Sequence, residues 1–395
     1  MLHVLSVIGT RPEAIKMAPV VKELERHAPG ITSRVCVTGQ HRDMLDQVLD
    51  LFAIVPDHDL NLMRKGQSLT GVAALVLSKL EPILAAERPD WVLVQGDTTT
   101  AAAASIAAAY AGVNVAHVEA GLRTYDKAQP FPEEINRLIT TSVANLHFAP
   151  TERARANLLR ENVQQENIVL SGNTVIDALH MACAAPYDSE SGPLAGIPWD
   201  KRILLVTAHR RENFGRPLEA ICAALRDLAE RYRDDAHIVY SVHPNPHVYE
   251  SVHDMLDGVP GVTLLPPLDY APLVYLLKRS YIVLTDSGGL QEEAPSLGKP
   301  VLVMRNTTER PEGIEAGTSR LVGANYLTIV NETTRLLDNP HAYAQMAHAA
   351  NPYGDGWAAQ RIVAALDPTI GVMPMWPGLN SNALEAVLAS SYEQV

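Results

Sequence analysis

Short runs of β-branched and leucine-rich residues alternate with amphipathic stretches along the whole chain. HVLSVIG, SRVCVT, WVLVQG, VNVAHV and NIVLSG occupy the first half, and RILLVTAH, HIVYSVH, VTLLPP, YIVLTDS and PVLVMR the second. These runs are apolar at consecutive rather than alternate positions. That is the pattern of strands covered on both faces, which belong to parallel sheets flanked by helices. The pattern predicts an α/β protein made of two doubly wound parallel-sheet domains.

The first helix is marked at its start by Gly9, by Pro12 in its first turn, and by Thr10 and Glu13 at the T-x-x-E spacing of a capping box. Ala14, Met17, Val21 and Leu24 then recur on one face. The stretch AAPYDSESGPLAGIPWDK, residues 184 to 201, is rich in Pro, Gly and Ser and reads as a connector, which places the domain switch between residues 172 and 201. After NPYGDG comes a helical segment, WAAQRIVAAL, and the last ~25 residues show no clear periodicity. No repeat with a period of roughly 20 to 50 residues is evident.

At 395 residues and 47% hydrophobic composition the chain can build two cores of ordinary size. Its net charge of −13 argues against general nucleic-acid binding, which needs a basic surface. A small anionic substrate then requires cations concentrated locally. Cys36, Cys183 and Cys222 lie far apart without C-x-x-C spacing, which supports neither a disulfide framework nor a structural zinc site and suits a reducing cytoplasm. The opening MLHVLSVIG lacks the basic leader and length of a signal peptide, and no run approaches the roughly 20 apolar residues of a membrane span.

In open parallel sheets, ligands bind beyond the carboxyl ends of the strands. Those ends carry Gly9 to Glu13, Gly96 to Thr100, Glu119 to Arg123, His209 to Asn213, His243 to Asn245, and Asp286 to Gly289. The stretch VNVAHVEAGLRTYDKAQPFPEEINR ends a buried strand on Glu119 and brings Glu133 and Glu134 after a turn-rich loop. A carboxylate at the edge of an apolar core must be paired, hydrogen-bonded or protonated. Pairing with Arg123 or Arg137 is one outcome, and handling a carbon-bound proton is the other.

In LTDSGGLQEEAPSLGKP a strand runs through Ser287, Gly288 and Gly289 into a helix, whose free N–H groups favour phosphate. Glu292 and Glu293, one turn on, suit sugar hydroxyls; the plainer reading is a turn with solvated glutamates. Arg11, Lys16 and Arg310 flank strand ends and suit phosphate or uracil, with surface salt bridges as the alternative.

Other patterns carry less. The first strand turn has no G-x-G-x-x-G and the chain no G-x-x-x-x-G-K-[ST], so neither a dinucleotide redox cofactor nor a P-loop is supported. Asp57-His58-Asp59 has the spacing of a metal site but reads as a polar connection with no sheet edge to place it. His243 and His247 are four apart, but Pro244 and Pro246 prevent a zinc-binding helix.

The strings GTRPEAIKMAP, CVTGQHRDMLDQVL, QGDTTT, HVEAGLRT, PEEINR, SGNTVIDAL, HRREN, TDSGGLQEEAPSLGKPVLVMRNTTERPE and NPYGDG, in this order from Met1 to about Leu366, resemble those of the non-hydrolysing UDP-N-acetylglucosamine 2-epimerases. The resemblance implies a glycosyltransferase-B-like fold of two Rossmann-like domains with the active site in the interdomain cleft. The domains would be 1–172 and 173–354, the latter binding UDP, with 355–395 packing back on the first. It implies a cytoplasmic homodimer that uses no cofactor and no metal. Its reaction would interconvert UDP-GlcNAc and UDP-ManNAc, through loss of the C2 proton and UDP to 2-acetamidoglucal, feeding surface polysaccharide synthesis.

By the same resemblance Asp97, Glu119, Glu133 and His209 are catalytic. Arg11, Lys16, Ser287, Gly288, Gly289, Glu293 and Arg310 contact the nucleotide. Leu268 and Leu273 replace Gln and Phe of some members, which removes a side-chain hydrogen bond to uracil. Gln40, His41 and Gln67 match segments that in some members bind a second, activating UDP-GlcNAc, although Asp43 and Gly66 depart from that pattern. The rivals are a hydrolysing epimerase, a UDP-sugar glycosyltransferase and a non-catalytic nucleotide-sugar sensor.

Overall fold

The computed structural model describes residues 1–39, 42–62 and 66–371. Gln40 and His41 therefore lie outside the described residues, as do the last residues of the chain. Met1–Met181 and the described chain from Tyr353 onward form one unit, and Ala182–Pro352 form the other.

The first unit holds seven parallel strands: β1 (Leu2–Ile8), β2 (Ile31–Val37), β3 (His58–Asp59), β4 (Trp91–Gln95), β5 (Asn114–Val118), β6 (Leu146–Ala149) and β7 (Ile168–Leu170). Their order in the sheet is β3-β2-β1-β4-β5-β6-β7. The second unit holds β8 (Arg202–Thr207), β9 (Ala236–Ser241), β10 (Val262–Leu265), β11 (Ser280–Thr285), β12 (Val301–Val303) and β13 (Ser319–Leu321), ordered β10-β9-β8-β11-β12-β13. Both are doubly wound sheets whose strand order reverses once, between β1 and β4 and between β8 and β11. Such a reversal splays the following loops apart and opens a crevice at the carboxyl edge.

Every strand expected from an apolar run is present. β3, β6 and β13 lie outside that set, because each is short and polar residues interrupt it. The finding for β3 corrects the reading of Asp57-His58-Asp59: His58 and Asp59 pair with Cys36 and Val37 at the sheet edge. Asp57 accepts from Arg34 at 2.5 Å and from the Val35 amide at 2.8 Å, while His58 meets Glu87 at 2.8 Å. No group of three or more metal-ligating side chains occurs among the described residues.

The helix Arg11–Arg26 buries Ala14, Met17, Val21 and Leu24 as its periodicity predicts. The capping box is only half made. Thr10 makes no side-chain cap, whereas the Glu13 carboxylate takes the Gly9 amide at 3.2 Å and the Thr98 hydroxyl at 2.8 Å. The helix Leu69–Glu87 is long and apolar enough, by length and composition, to cross a membrane, contrary to the expectation that no run approaches that length. Its Val72, Val76, Leu80 and Leu84 are buried in the core of the first unit against the helix Thr99–Tyr110.

The chain leaves the first unit later than residue 172. The helix Thr174–Ala184 buries Val175, Ile176, Ala178 and Leu179, and its Asp177 accepts the Ala359 amide at 2.8 Å at the start of the helix Ala358–Leu366. Burial pushes Asp177 up to about 6, even though backbone amides pull the other way. Between residues 184 and 201 the only regular element is the turn Gly192–Leu194.

Two glycines are sterically required at strand ends. A Cβ on Gly9 would lie 2.5 Å from Thr100 Oγ1, so the loop after β1 and the helix after β4 can approach only because residue 9 has no side chain. Gly121 has φ +88°, and a Cβ there would overlap the Ala154 carbonyl oxygen. Backbone cannot give way as a side-chain tip can. Gly121→Ala is therefore expected to destabilise the protein by about 2–3 kcal/mol, read as a lower urea midpoint at unchanged slope; an unmoved midpoint would contradict this packing.

Candidate active site

The carboxyl edge of the first sheet gathers acids and their partners. Glu119 follows β5 with φ +63°, a left-handed conformation that costs a non-glycine residue of order 1 kcal/mol or more. Its residue is only 8% exposed. Lys16, one turn into the helix after β1, donates to Glu119 Oε1 at 2.5 Å, and Asn173, just past β7, donates to the same oxygen at 3.2 Å. Gln95, the last residue of β4, donates to Oε2 through a short contact. Four segments of the sheet edge thus meet on one carboxylate. The expected pairing with Arg123 or Arg137 is not the one found: Arg123 holds Glu161 through two bonds of 2.7 Å, and Arg137 holds Asp97 and Glu134.

Asp97 lies two residues past β4, where Arg137 reaches its Oδ2 through NH2 at 2.6 Å and Nε at 3.0 Å. Asn136 donates to the Asp97 carbonyl at 2.9 Å, so the helix Glu133–Val143 is docked on this loop. Glu133 opens that helix, and its Oε2 is buried without a hydrogen-bond partner among the described residues. Its neighbour Glu134 is structural. Burial works to raise its pKa, but Arg137 and the amides of Thr124 and Tyr125 outweigh this and hold it below the ordinary value.

Beneath the edge, His117 donates from Nε2 to the Gly96 carbonyl at 2.8 Å, fixing the residue before Asp97. Burial pushes His117 down to about 3, so the ring is neutral at physiological pH. Arg11 opens the first helix, partly exposed. Gln67 donates to the Leu62 carbonyl at 2.9 Å, beside the start of the helix Leu69–Glu87.

The second unit has its own polar edge, around an open cavity of about 210 Å³. His209 and Ser287 line it, following β8 and β11 on the two sides of the strand reversal, together with His243, Leu268, Leu273 and Glu293. The rings of His209 and His243 stack at 5.5 Å. Ser287 precedes the helix Gly288–Ser296; its own amide donates to Thr285 Oγ1 at 2.9 Å, and a Cβ on Gly288 would lie 2.9 Å from Glu309 Oε1.

Glu292 and Glu293 are buried rather than solvated. Glu293 accepts the Tyr270 hydroxyl at 3.0 Å, and Glu292 forms a short ion pair with Arg310. Leu268 and Leu273 form an apolar wall. Arg137 and His243 join the two clusters in roles other than those weighed in the sequence, and Gln95, Asn173 and Tyr270 complete them without having been singled out there. Gln95 and Asn173 lie inside strand-end motifs, whereas Tyr270 has no local signal.

Two doubly wound units in one chain, each with polar groups at its own strand reversal, define a glycosyltransferase-B-like α/β protein. A glycosyltransferase from Rickettsia africae shares the fold, with a TM-score of 0.61 at 14% identity over 93% of this chain and 98% of its own. The model of the UDP-N-acetylglucosamine 2-epimerase family matches residues 22–367. UDP-N-acetylglucosamine 2-epimerase of Escherichia coli K12 is 55% identical over 371 residues, 92% of this chain and 98% of that protein.

The crystal structure of UDP-GlcNAc 2-epimerase from Neisseria meningitidis bound to UDP-GlcNAc has a TM-score of 0.82 at 47% identity, covering 92% of this chain and 99% of that one. That of the Methanocaldococcus jannaschii enzyme in complex with UDP-GlcNAc and UDP has a TM-score of 0.74 at 32% identity, covering 94% and 100%. The chain belongs to the UDP-N-acetylglucosamine 2-epimerase family and is an enzyme of that class.

Glu13 sits at the first strand reversal, and burial pushes it up to about 7 from an ordinary 4.5, against hydrogen bonds from Thr10, Thr98 and Gly9. Between those values the folded protein keeps a proton that the unfolded chain has released. The stability this group contributes is thus full below pH 4.5 and lost as pH rises through 7. Relative to Glu13→Gln, the wild type should lose on the order of 2–3 kcal/mol between pH 4.5 and 8 in urea unfolding. Parallel stability profiles would contradict this.

Proposed function

We propose that the chain interconverts UDP-GlcNAc and UDP-ManNAc without net hydrolysis. The single observation that carries this reading is Glu119: a buried carboxylate on a left-handed residue, held by Lys16, Gln95 and Asn173 close to the segment that bears Asp97. Inverting C2 demands removal of a weakly acidic carbon-bound proton and its return on the opposite face, and therefore at least two positioned proton carriers. Asp97, Glu119 and Glu133 are the set from which they are drawn.

In the forward step a carboxylate takes the C2 proton, the C–H electron pair becomes the C1–C2 double bond of 2-acetamidoglucal, and the C1–O bond breaks anti to it, releasing UDP. Syn readdition of UDP at C1, with a proton delivered to the other face of C2, gives the epimer. Nothing is oxidised, which agrees with the lack of a dinucleotide fingerprint at the first strand turn.

The nucleotide belongs to the cavity of the second unit. Leu268 and Leu273 offer uracil an apolar wall, Glu293 an acceptor for hydroxyls, and the Ser287-Gly288-Gly289 turn its amides for phosphate. His209 gives a proton to the departing diphosphate. Arg11, Lys16 and Arg310 supply cations; Lys16 is held by Glu119 and Arg310 by Glu292. By likeness to the non-hydrolysing members, the enzyme works as a cytoplasmic homodimer and its product supplies ManNAc units for surface polysaccharide.

A proton NMR time course of UDP-GlcNAc with the enzyme in deuterated buffer should show UDP-ManNAc carrying deuterium at C2 and no stoichiometric free ManNAc. Epimerisation without exchange would reject elimination, and stoichiometric release of ManNAc with UDP would make the enzyme a hydrolysing one. Glu119→Gln and Asp97→Asn should each slow turnover at least ~100-fold with the fold retained; wild-type rates would remove them from the proton carriers.

A further inference from the structure

Asp286 has no role in the reaction as described, yet it is a fully buried carboxylate at the strand reversal of the second unit. Thr207 of β8 and Thr285 of β11 are register partners, so the segments that follow emerge side by side. Asp286 Oδ2 accepts the backbone amides of His209 and Arg210, each at 2.8 Å, and Asn213 Nδ2 at 3.0 Å. Three donors on one oxygen fix the carboxylate and leave the other oxygen for the imidazole. His209 Nδ1 lies 3.2 Å from Oδ1, within ion-pair distance but off hydrogen-bond alignment, and Oδ1 has no hydrogen bond among the described residues. A small rotation of the ring completes the bond, as catalytic hydrogen bonds commonly do when substrate binds.

The charged and titratable groups that face His209 come from every neighbouring segment: Asp286 after β11, Arg210 beside it, His243 after β9, and Glu293 across the cavity. Burial lowers the affinity of the ring for a second proton and Asp286 raises it, while Arg210 and His243 reinforce burial. Of the neighbours in contact with the ring, Asp286 is thus the one that favours the cation.

We propose that Asp286 is the positioning residue of His209, keeping a proton on Nδ1 and stabilising the imidazolium whose Nε2 proton goes to the departing diphosphate. In that step the Nε2–H bond breaks, the proton joins the oxygen released from C1, and the ring is left neutral with Nδ1–H directed at Asp286. Readdition returns the proton to Nε2. The inference rests on the role of His209 given above, but the pairing itself can be read without turnover.

Nitrogen-15 NMR of the wild-type protein with labelled histidine should show neutral His209 as the Nδ1–H tautomer; an Nε2–H tautomer overturns the proposal. Asp286→Asn should lower kcat about 100-fold, leave KM within about threefold, and move the basic limb of the pH–kcat profile about one unit lower. An unaltered profile and rate overturn the proposal. The double variant His209→Gln with Asp286→Asn should be no slower than His209→Gln alone, and additive losses would give Asp286 an independent role and overturn it. Should Asp286→Asn not fold, the wild-type spectrum still decides. A wild-type protein with the Nδ1–H tautomer but no exchange at C2 would support the pairing and defeat only the epimerase reading.

Discussion

The candidate chemistry of the first unit hangs on the meeting of Lys16 and Glu119 at 2.5 Å. Removing two charges from water costs several kcal/mol, and the attraction between them offsets this only when geometry is good and the remaining lone pairs are satisfied. Here Gln95 and Asn173 satisfy them. The pair therefore constrains the helix after β1, the end of β4, the left-handed residue after β5 and the segment after β7 to converge. Glu119 can hold its costly conformation because these partners over-determine it. The same constraint places Asp97, which Arg137 anchors from the helix Glu133–Val143.

The second unit repeats the strand order of the first but furnishes its reversal differently. Gly9 and Gly96-Asp97 follow the paired strands in one, and Ala208-His209 and Asp286 in the other. One architecture thus yields an edge rich in carboxylates and an edge with imidazoles, helix amides and an apolar wall. The first edge is furnished for moving protons and the second for holding phosphate and an apolar ring, which are the two kinds of chemistry the proposed reaction needs.

Much of this was legible in the chain. Doubly covered strands write themselves as continuous apolar runs, and strand ends announce where polar groups will gather. What escaped was non-local. Glu13 and Thr10 have the spacing of a capping box, but Thr98, 85 positions away, reaches the same carboxylate. Lys16 and Arg310 read as cations for a ligand, and no local pattern reveals that Glu119 and Glu292 already face them. The two-residue strand at His58 exists only because β2 lies beside it. Asp286 stood in view within TDSGG, yet only folding brings three donors from residues 209–213 to one of its oxygens.

The central claim is that the C1–O bond breaks while the carboxylates exchange the C2 hydrogen. It is tested most directly with UDP-GlcNAc labelled with oxygen-18 in the bridge between C1 and the β-phosphorus. If UDP departs and returns, the label scrambles into the non-bridging β-phosphate oxygens during epimerisation. Epimerised product that keeps all of its label in the bridge would contradict the account.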